Sequence, residues 1–148
     1  MHTHTQTHYH IVFSTKNRRS CLCAERRSDL FRYLWGLLKN KRCHLYRAGG
    51  VDDHIHLLTS LHPKIALADL VKDLKVSSSK WIHDKSIFPK FDHWQEGYGA
   101  FTHSFSEREC LIDYIKRQEP HHRRASFHDE LIVLLEQAGL AYDEQYLL

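Results

Sequence analysis

The sequence predicts an α+β fold of ferredoxin-like (RRM-like) form. This is a four-stranded antiparallel sheet with two crossover helices on one face and two further helices near the C-terminal end. Three observations carry that reading. The recognisable elements run strand, helix, strand, strand, helix, strand, which is the split βαβ order. Apolar residues alternate in the strand candidates and recur every three or four positions in the helix candidates. The chain has 148 residues, enough for a core of its own, so residues 1–148 are expected to form one domain.

The first strand is His8 to Thr15, alternating around Ile11 and Phe13. Lys16-Asn17-Arg18-Arg19-Ser20 follows as a basic loop. Leu30, Phe31, Leu34, Leu37 and Leu38 stand at helical spacing, which predicts a helix from about Glu25 to Lys41. Cys43 to Ala48 reads as the second strand, Gly49-Gly50 marks a turn, and a third strand begins at His54 after Val51-Asp52-Asp53, so the two strands form a hairpin with an extended turn. Pro63 stops that strand. Ile65, Leu67, Leu70, Val71, Leu74, Trp81 and Ile82 then describe a second amphipathic helix, whose Ser77-Ser78-Ser79 is a candidate phosphate-facing stretch. Trp94 to Thr102, aromatic with glycines, reads as a fourth strand with a bulge. Ser106 and Glu109 fit a capping box, predicting a helix over Glu107–Glu119 that Pro120 ends. Ser126 caps a last helix with Leu131, Leu134, Leu135 and Ala138 on one face and Gly139 at its end.

Composition excludes several classes. No apolar run is long enough to span a bilayer, and no apolar signal segment opens the chain, so a cytoplasmic protein is expected. Cys21, Cys23, Cys43 and Cys110 lack zinc-knuckle spacing, and reduced thiols are expected, with a zinc site at Cys21 and Cys23 as a minor alternative. Twenty-one Lys and Arg against 18 Asp and Glu leave a net charge of only +3. The placement is more telling. Basic clusters recur near element ends, and 14 histidines can add positive charge in a phosphate's field.

The chemistry concentrates in two places. His54 and His56 flank Ile55, so on a strand both imidazoles point to one face while Ile55, Leu57 and Thr59 face the crossover helices. That makes a two-pronged metal holder on the sheet's free face. Tyr114 and Gln118 lie four residues apart, hence on one face of the capped helix, which is available to cover the histidines. Each residue taken singly reads as ordinary surface or core. Together, two imidazoles and an amide oxygen can bind a divalent ion, and a phenol beside them can act as a nucleophile.

These residues carry a resemblance. His54-Ile55-His56, Tyr114 with Gln118, Trp94-Gln95-Glu96-Gly97-Tyr98-Gly99-Ala100-Phe101, the opening His10-Ile11-Val12-Phe13-Ser14-Thr15-Lys16 and Asp69-Leu70-Val71-Lys72 are similar to the single-tyrosine HUH transposases of the 200/605 group of insertion sequences. The resemblance implies metal-dependent cutting and rejoining of single-stranded DNA at hairpin-bearing transposon ends, through a 5′-phosphotyrosine. It implies Tyr114 as nucleophile, His54, His56 and Gln118 as ligands, magnesium or manganese as the ion, a homodimer, and no nucleotide cofactor. Arg18, Arg19, Lys75, Lys80 and Arg123 are the phosphate-contact candidates. Tyr98 and Phe101 are candidates for base stacking, with core the stronger reading for Phe101. His121 and His122 are candidates for proton transfer to the leaving 3′-oxygen.

Two other classes compete. A non-cutting or domesticated hairpin binder of the same fold has no need of all four site residues. A small zinc hydrolase would want further His and Asp ligands near the His-x-His strand, which the sequence lacks.

Overall fold

The computed structural model describes residues 2–122 and 125–147. Its sheet contains β1 (His8–Ser14), β2 (Leu45–Gly50), β3 (His54–Ser60) and β4 (Gly99–His103), in the spatial order β2-β3-β1-β4 with every pairing antiparallel. Helices α1 (Ala24–Asn40) and α2 (Leu67–Lys85) make the crossovers. The C-terminal part adds α3 (Arg108–Lys116), α4 (Gln118–His122) and α5 (Phe127–Gln137). This is the expected α+β architecture. Among the described residues no helix is long and apolar enough to cross a membrane.

The sheet separates two cores of unequal size. Ile11, Phe13, Ile55 and Leu57 point to one face and bury Leu30, Leu34 and Leu38 of α1 and Leu70, Leu74 and Ile82 of α2. Trp94 closes this core, edge-on to Phe13 at 4.9 Å, with its indole N–H donating to Ser78 Oγ at 2.9 Å. Ser78 is therefore a buried structural partner and not a phosphate-facing residue. The opposite face is covered by α3 to α5 over a smaller apolar cluster of Val12, Phe101 and Phe127, flanked by Leu131, Leu134 and Leu135.

Four local expectations are corrected. Gly49 and Gly50 belong to β2, and the turn is Val51-Asp52-Asp53. Glycine is required there by close approach: a Cβ on Gly49 would lie 2.5 Å from the Ile115 carbonyl oxygen, and one on Gly50 2.5 Å from that of His54. The fourth strand is shorter than expected, because Trp94 makes only an isolated bridge to Thr15 and Gly97 turns the chain at φ +83° before β4 starts. The capping box is Ser104 with Glu107, whose carboxylate accepts from the Ser104 N–H at 3.0 Å and from its hydroxyl at 2.9 Å. Finally, α3 breaks at Arg117, before Pro120. The proline sits in the first turn of α4, where its missing N–H has no intrahelical partner to lose.

The thiols divide by burial. Cys21 and Cys43 are buried while Cys23 and Cys110 are exposed, and burial pushes the Cys21 thiol up to about 11. A water-soluble maleimide should label Cys23 and Cys110 in the native protein and the other two only after unfolding. Rapid native labelling of Cys21 would contradict this packing.

Candidate active site

β1 and β3 set the histidines. Val12 pairs with His56 and Ser14 with His54, so alternate residues of both strands share the face beneath α3 to α5. His54 and His56 are both 0% exposed. The i, i+4 spacing survives the helix break at Arg117, so Tyr114 of α3 and Gln118 of α4 both reach this face. The Tyr114 ring lies 5.8 Å from that of His56, and Gln118 Oε1 is 3.4 Å from His54 Nε2. Three supports fix the covering helices. Ile115 seats against Gly49, Arg27 of α1 bridges to Glu119 of α4 at 2.7 Å, and the Ser126 hydroxyl caps α5.

At the centre stands a residue that sequence reasoning did not select. Glu130 of α5 is 3% exposed. Its Oε1 lies 3.0 Å from His54 Nε2, 2.9 Å from His56 Nε2 and 3.0 Å from His122 Nε2. Its Oε2 accepts from the Tyr114 hydroxyl and, at 3.1 Å, from the Gln118 amide nitrogen. A signal for it existed in the sequence. Glu130 stands three residues after Phe127 and four before Leu134, on the apolar stripe of α5 instead of its wet face. His10 was also missed as a site residue. Its Nε2 lies 2.7 Å from His56 Nδ1, while its own Nδ1 is buried without a partner.

The electrostatics follow from this crowding. Burial opposes the Glu130 charge, but hydrogen bonds from His122, His54 and His56 outweigh it and hold the carboxyl far below its ordinary range. Burial followed by the Glu130 charge pushes the Tyr114 phenol well above its usual value, so it keeps its proton at rest. Burial would lower His54, but Asp53 and Glu130 overcome it and the net shift is upward. His56 is lowered, chiefly by burial. His10 is lowered to about 3, by burial first and then by His56.

The donor set fits a divalent ion. His54 Nδ1 lies 2.6 Å from Asp53 Oδ1. A carboxylate only accepts, so that nitrogen carries a proton and Nε2 is the nitrogen turned into the site. Orientation of this kind through the far nitrogen is how ligating histidines are held. A cleft of about 570 Å³, lined in part by His10, Tyr114, His121 and Glu130, gives access from outside.

The phosphate-contact candidates scatter. Arg19 is exposed and lies 3.5 Å from the Lys90 carbonyl, beside a second cleft that reaches His122. Arg18 is partly exposed, with φ +52°. Lys75 and Lys80 sit on α2, across the sheet from the histidines. Lys75 donates to the carbonyls of Gln95 (2.8 Å) and Gly97, and Lys80 pairs with Asp84 at 2.7 Å. Arg123 lies outside the described residues. Phe101 is core, 7% exposed, whereas Tyr98 is 42% exposed.

Comparison with known proteins decides the family. A sequence profile described as "Transposase IS200 like" matches residues 3–118. The chain belongs to the IS200-like transposase family. The transposase for insertion sequence element IS200 of Salmonella typhimurium is 31% identical to this IS200-like transposase over 122 residues, covering 79% of this chain and 80% of that protein. The ISDra2 transposase of Deinococcus radiodurans is 27% identical over 120 residues, or 76% of this chain and 84% of that one. The structure of a REP-associated tyrosine transposase bound to a REP hairpin superposes with a TM-score of 0.59 at 14% identity, covering 97% of this chain and 91% of the other. That likeness extends the shared fold into the C-terminal helices, beyond the stretch matched by the family profile.

Proposed function

We propose that this transposase cuts and rejoins single-stranded DNA at hairpin-bearing ends, with Tyr114 as nucleophile and a divalent ion, magnesium or manganese, at His54 and His56. The single observation that carries the reading is the convergence of Tyr114, His54, His56 and Gln118 on one buried carboxylate within one chain. The hairpin carried by the REP-associated relative supports the choice of substrate.

The bound ion supplies positive charge that polarises the scissile phosphate and offsets charge on the in-line transition state. His54 and His56 would hold it, with the Gln118 amide oxygen as the third group that the family resemblance implies. Tyr114 Oη attacks phosphorus and its proton leaves to solvent through the cleft, while Glu130 Oε2, kept ionised by the histidines around it, accepts the hydroxyl's hydrogen bond and aims the oxygen without taking the proton. The phosphorus–3′-oxygen bond breaks, and the 3′-oxygen leaves with a proton for which His121, on the same cleft, is the candidate donor. The product is a 5′-phosphotyrosine and a free 3′-hydroxyl. Reversal joins strands without a nucleotide energy source, because the ester conserves the bond. The homodimer is part of the proposal as the assembly that holds two DNA ends. Tyr114 meets the histidines of its own chain, which supports chemistry completed within one subunit.

The test is a denaturing gel of protein with 5′-labelled and 3′-labelled hairpin DNA, with and without manganese. Only DNA 3′ to the cut should stay with the protein, and only when the ion is present. Retained hairpin binding with no covalent band at any metal concentration would favour the non-cutting binder instead.

A further inference from the structure

We propose that the ion in this chain is held by His54, His56, His122 and Glu130, so that the last helix contributes a ligand and closes the site. The inference rests on the metal-dependent reading above and revises its ligand set. One nitrogen of each imidazole and one Glu130 carboxylate oxygen all lie within 4.8 Å of one another. Each imidazole–carboxylate separation is 2.9–3.0 Å, near the roughly 3–4 Å that separates two ligands of one first-row ion.

The far nitrogens make the case stronger than distance alone. His122 Nδ1 lies 2.7 Å from the Ala125 carbonyl oxygen, and His54 Nδ1 lies against the Asp53 carboxylate. Both partners only accept, so both Nδ1 atoms carry hydrogen and each ring turns its Nε2 toward Glu130 Oε1, the way ligating histidines are held. One divalent ion satisfies all four groups.

Gln118 then has a different task. Its amide nitrogen donates to Glu130 Oε2, the oxygen turned away from His54, His56 and His122 and toward His121. It is a positioning residue, holding the carboxylate so that Oε1 faces the ion. Two of the four ligands, His122 and Glu130, lie beyond the stretch matched by the family profile. Three imidazoles and a carboxylate suit manganese, cobalt or zinc better than magnesium, which prefers oxygen ligands and retains water. Binding should also fasten α5, whose apolar support is the small cluster around Phe127.

The experiment uses the full chain, stripped with EDTA and titrated with cobalt(II), read by visible absorption and thermal melting without DNA. An intense band and a raised Tm are expected for the wild type. Glu130→Gln and His122→Gln should each change the band and weaken binding by roughly 10- to 100-fold or more. Gln118→Ala should weaken it less and leave the band's shape unchanged. X-ray absorption on the cobalt-loaded wild type counts imidazoles independently of whether any variant folds, and three are expected. A count of two, or Glu130→Gln and His122→Gln proteins that bind as the wild type does while His54→Ala does not, overturns this ligand set and leaves the reading above standing. If the wild type binds no cobalt, manganese or zinc, the metal-dependent reading falls as well.

Discussion

Tyr114→Phe is expected to abolish the covalent DNA adduct while leaving hairpin binding close to wild type. Loss of a nucleophile costs on the order of 10⁴-fold or more in turnover, and among the described residues no other hydroxyl is hydrogen-bonded to Glu130 beside the histidines. Stability should change little. The hydroxyl donates one hydrogen bond, to Glu130 Oε2, and that oxygen keeps the Gln118 amide as a donor. A loss of about 1 kcal/mol is the scale for one such bond. A melting curve and a gel-shift titration beside the adduct assay separate chemistry from folding. Cutting by the phenylalanine variant at the wild-type rate would remove Tyr114 from the reaction and leave the site without a nucleophile.

The second large effect is expected at a backbone position that carries no reacting atom. Gly49→Val should destabilise the fold by about 1–3 kcal/mol or more, the range for overpacking, and depress adduct formation beyond that loss. A Cβ at this position meets the Ile115 carbonyl oxygen at 2.5 Å and its Cγ2 at 2.8 Å. Backbone cannot rotate out of the way, so α3 must lift, and Tyr114 is the neighbour of Ile115. Displacement by about 1 Å is enough to cost roughly 10²-fold in a reaction that depends on alignment. Gly36→Ala supplies the contrast. It lies inside α1 with nothing within 4 Å of a new Cβ, and it should gain up to about 1 kcal/mol through helix propensity alone. Equal melting temperatures for the Gly49→Val and wild-type proteins would show that α3 does not rest on β2 as described.

What the sequence disclosed and what it hid have physical reasons. The sheet and its crossovers were legible because alternation and helical spacing are imposed by burial on one face. His54 and His56 stood out because few strands place two imidazoles over a core. Tyr114 and Gln118 were legible as a pair through i, i+4 spacing, although the helix between them breaks at Arg117. Glu130 was hidden because a glutamate on an amphipathic helix ordinarily faces water, and its place on the apolar stripe of α5 was the one hint of its burial. Gly49-Gly50 misled for a related reason. Glycine signals turns through its backbone freedom, yet here its value is the missing side chain under a helix. Lys75 and Lys80 read as free cations in a linear sequence, but folding gives each a partner.

The unequal sizes of the two apolar clusters bear on how a polymer would reach a half-buried phenol. Val12, Phe101 and Phe127 make a small raft compared with the leucine-rich layer on the other side. Free energies of partial opening track such differences, so the face that carries Tyr114 is expected to open at lower cost than the leucine-rich one. Threading of a strand into the interior thus need not involve denaturation of the molecule.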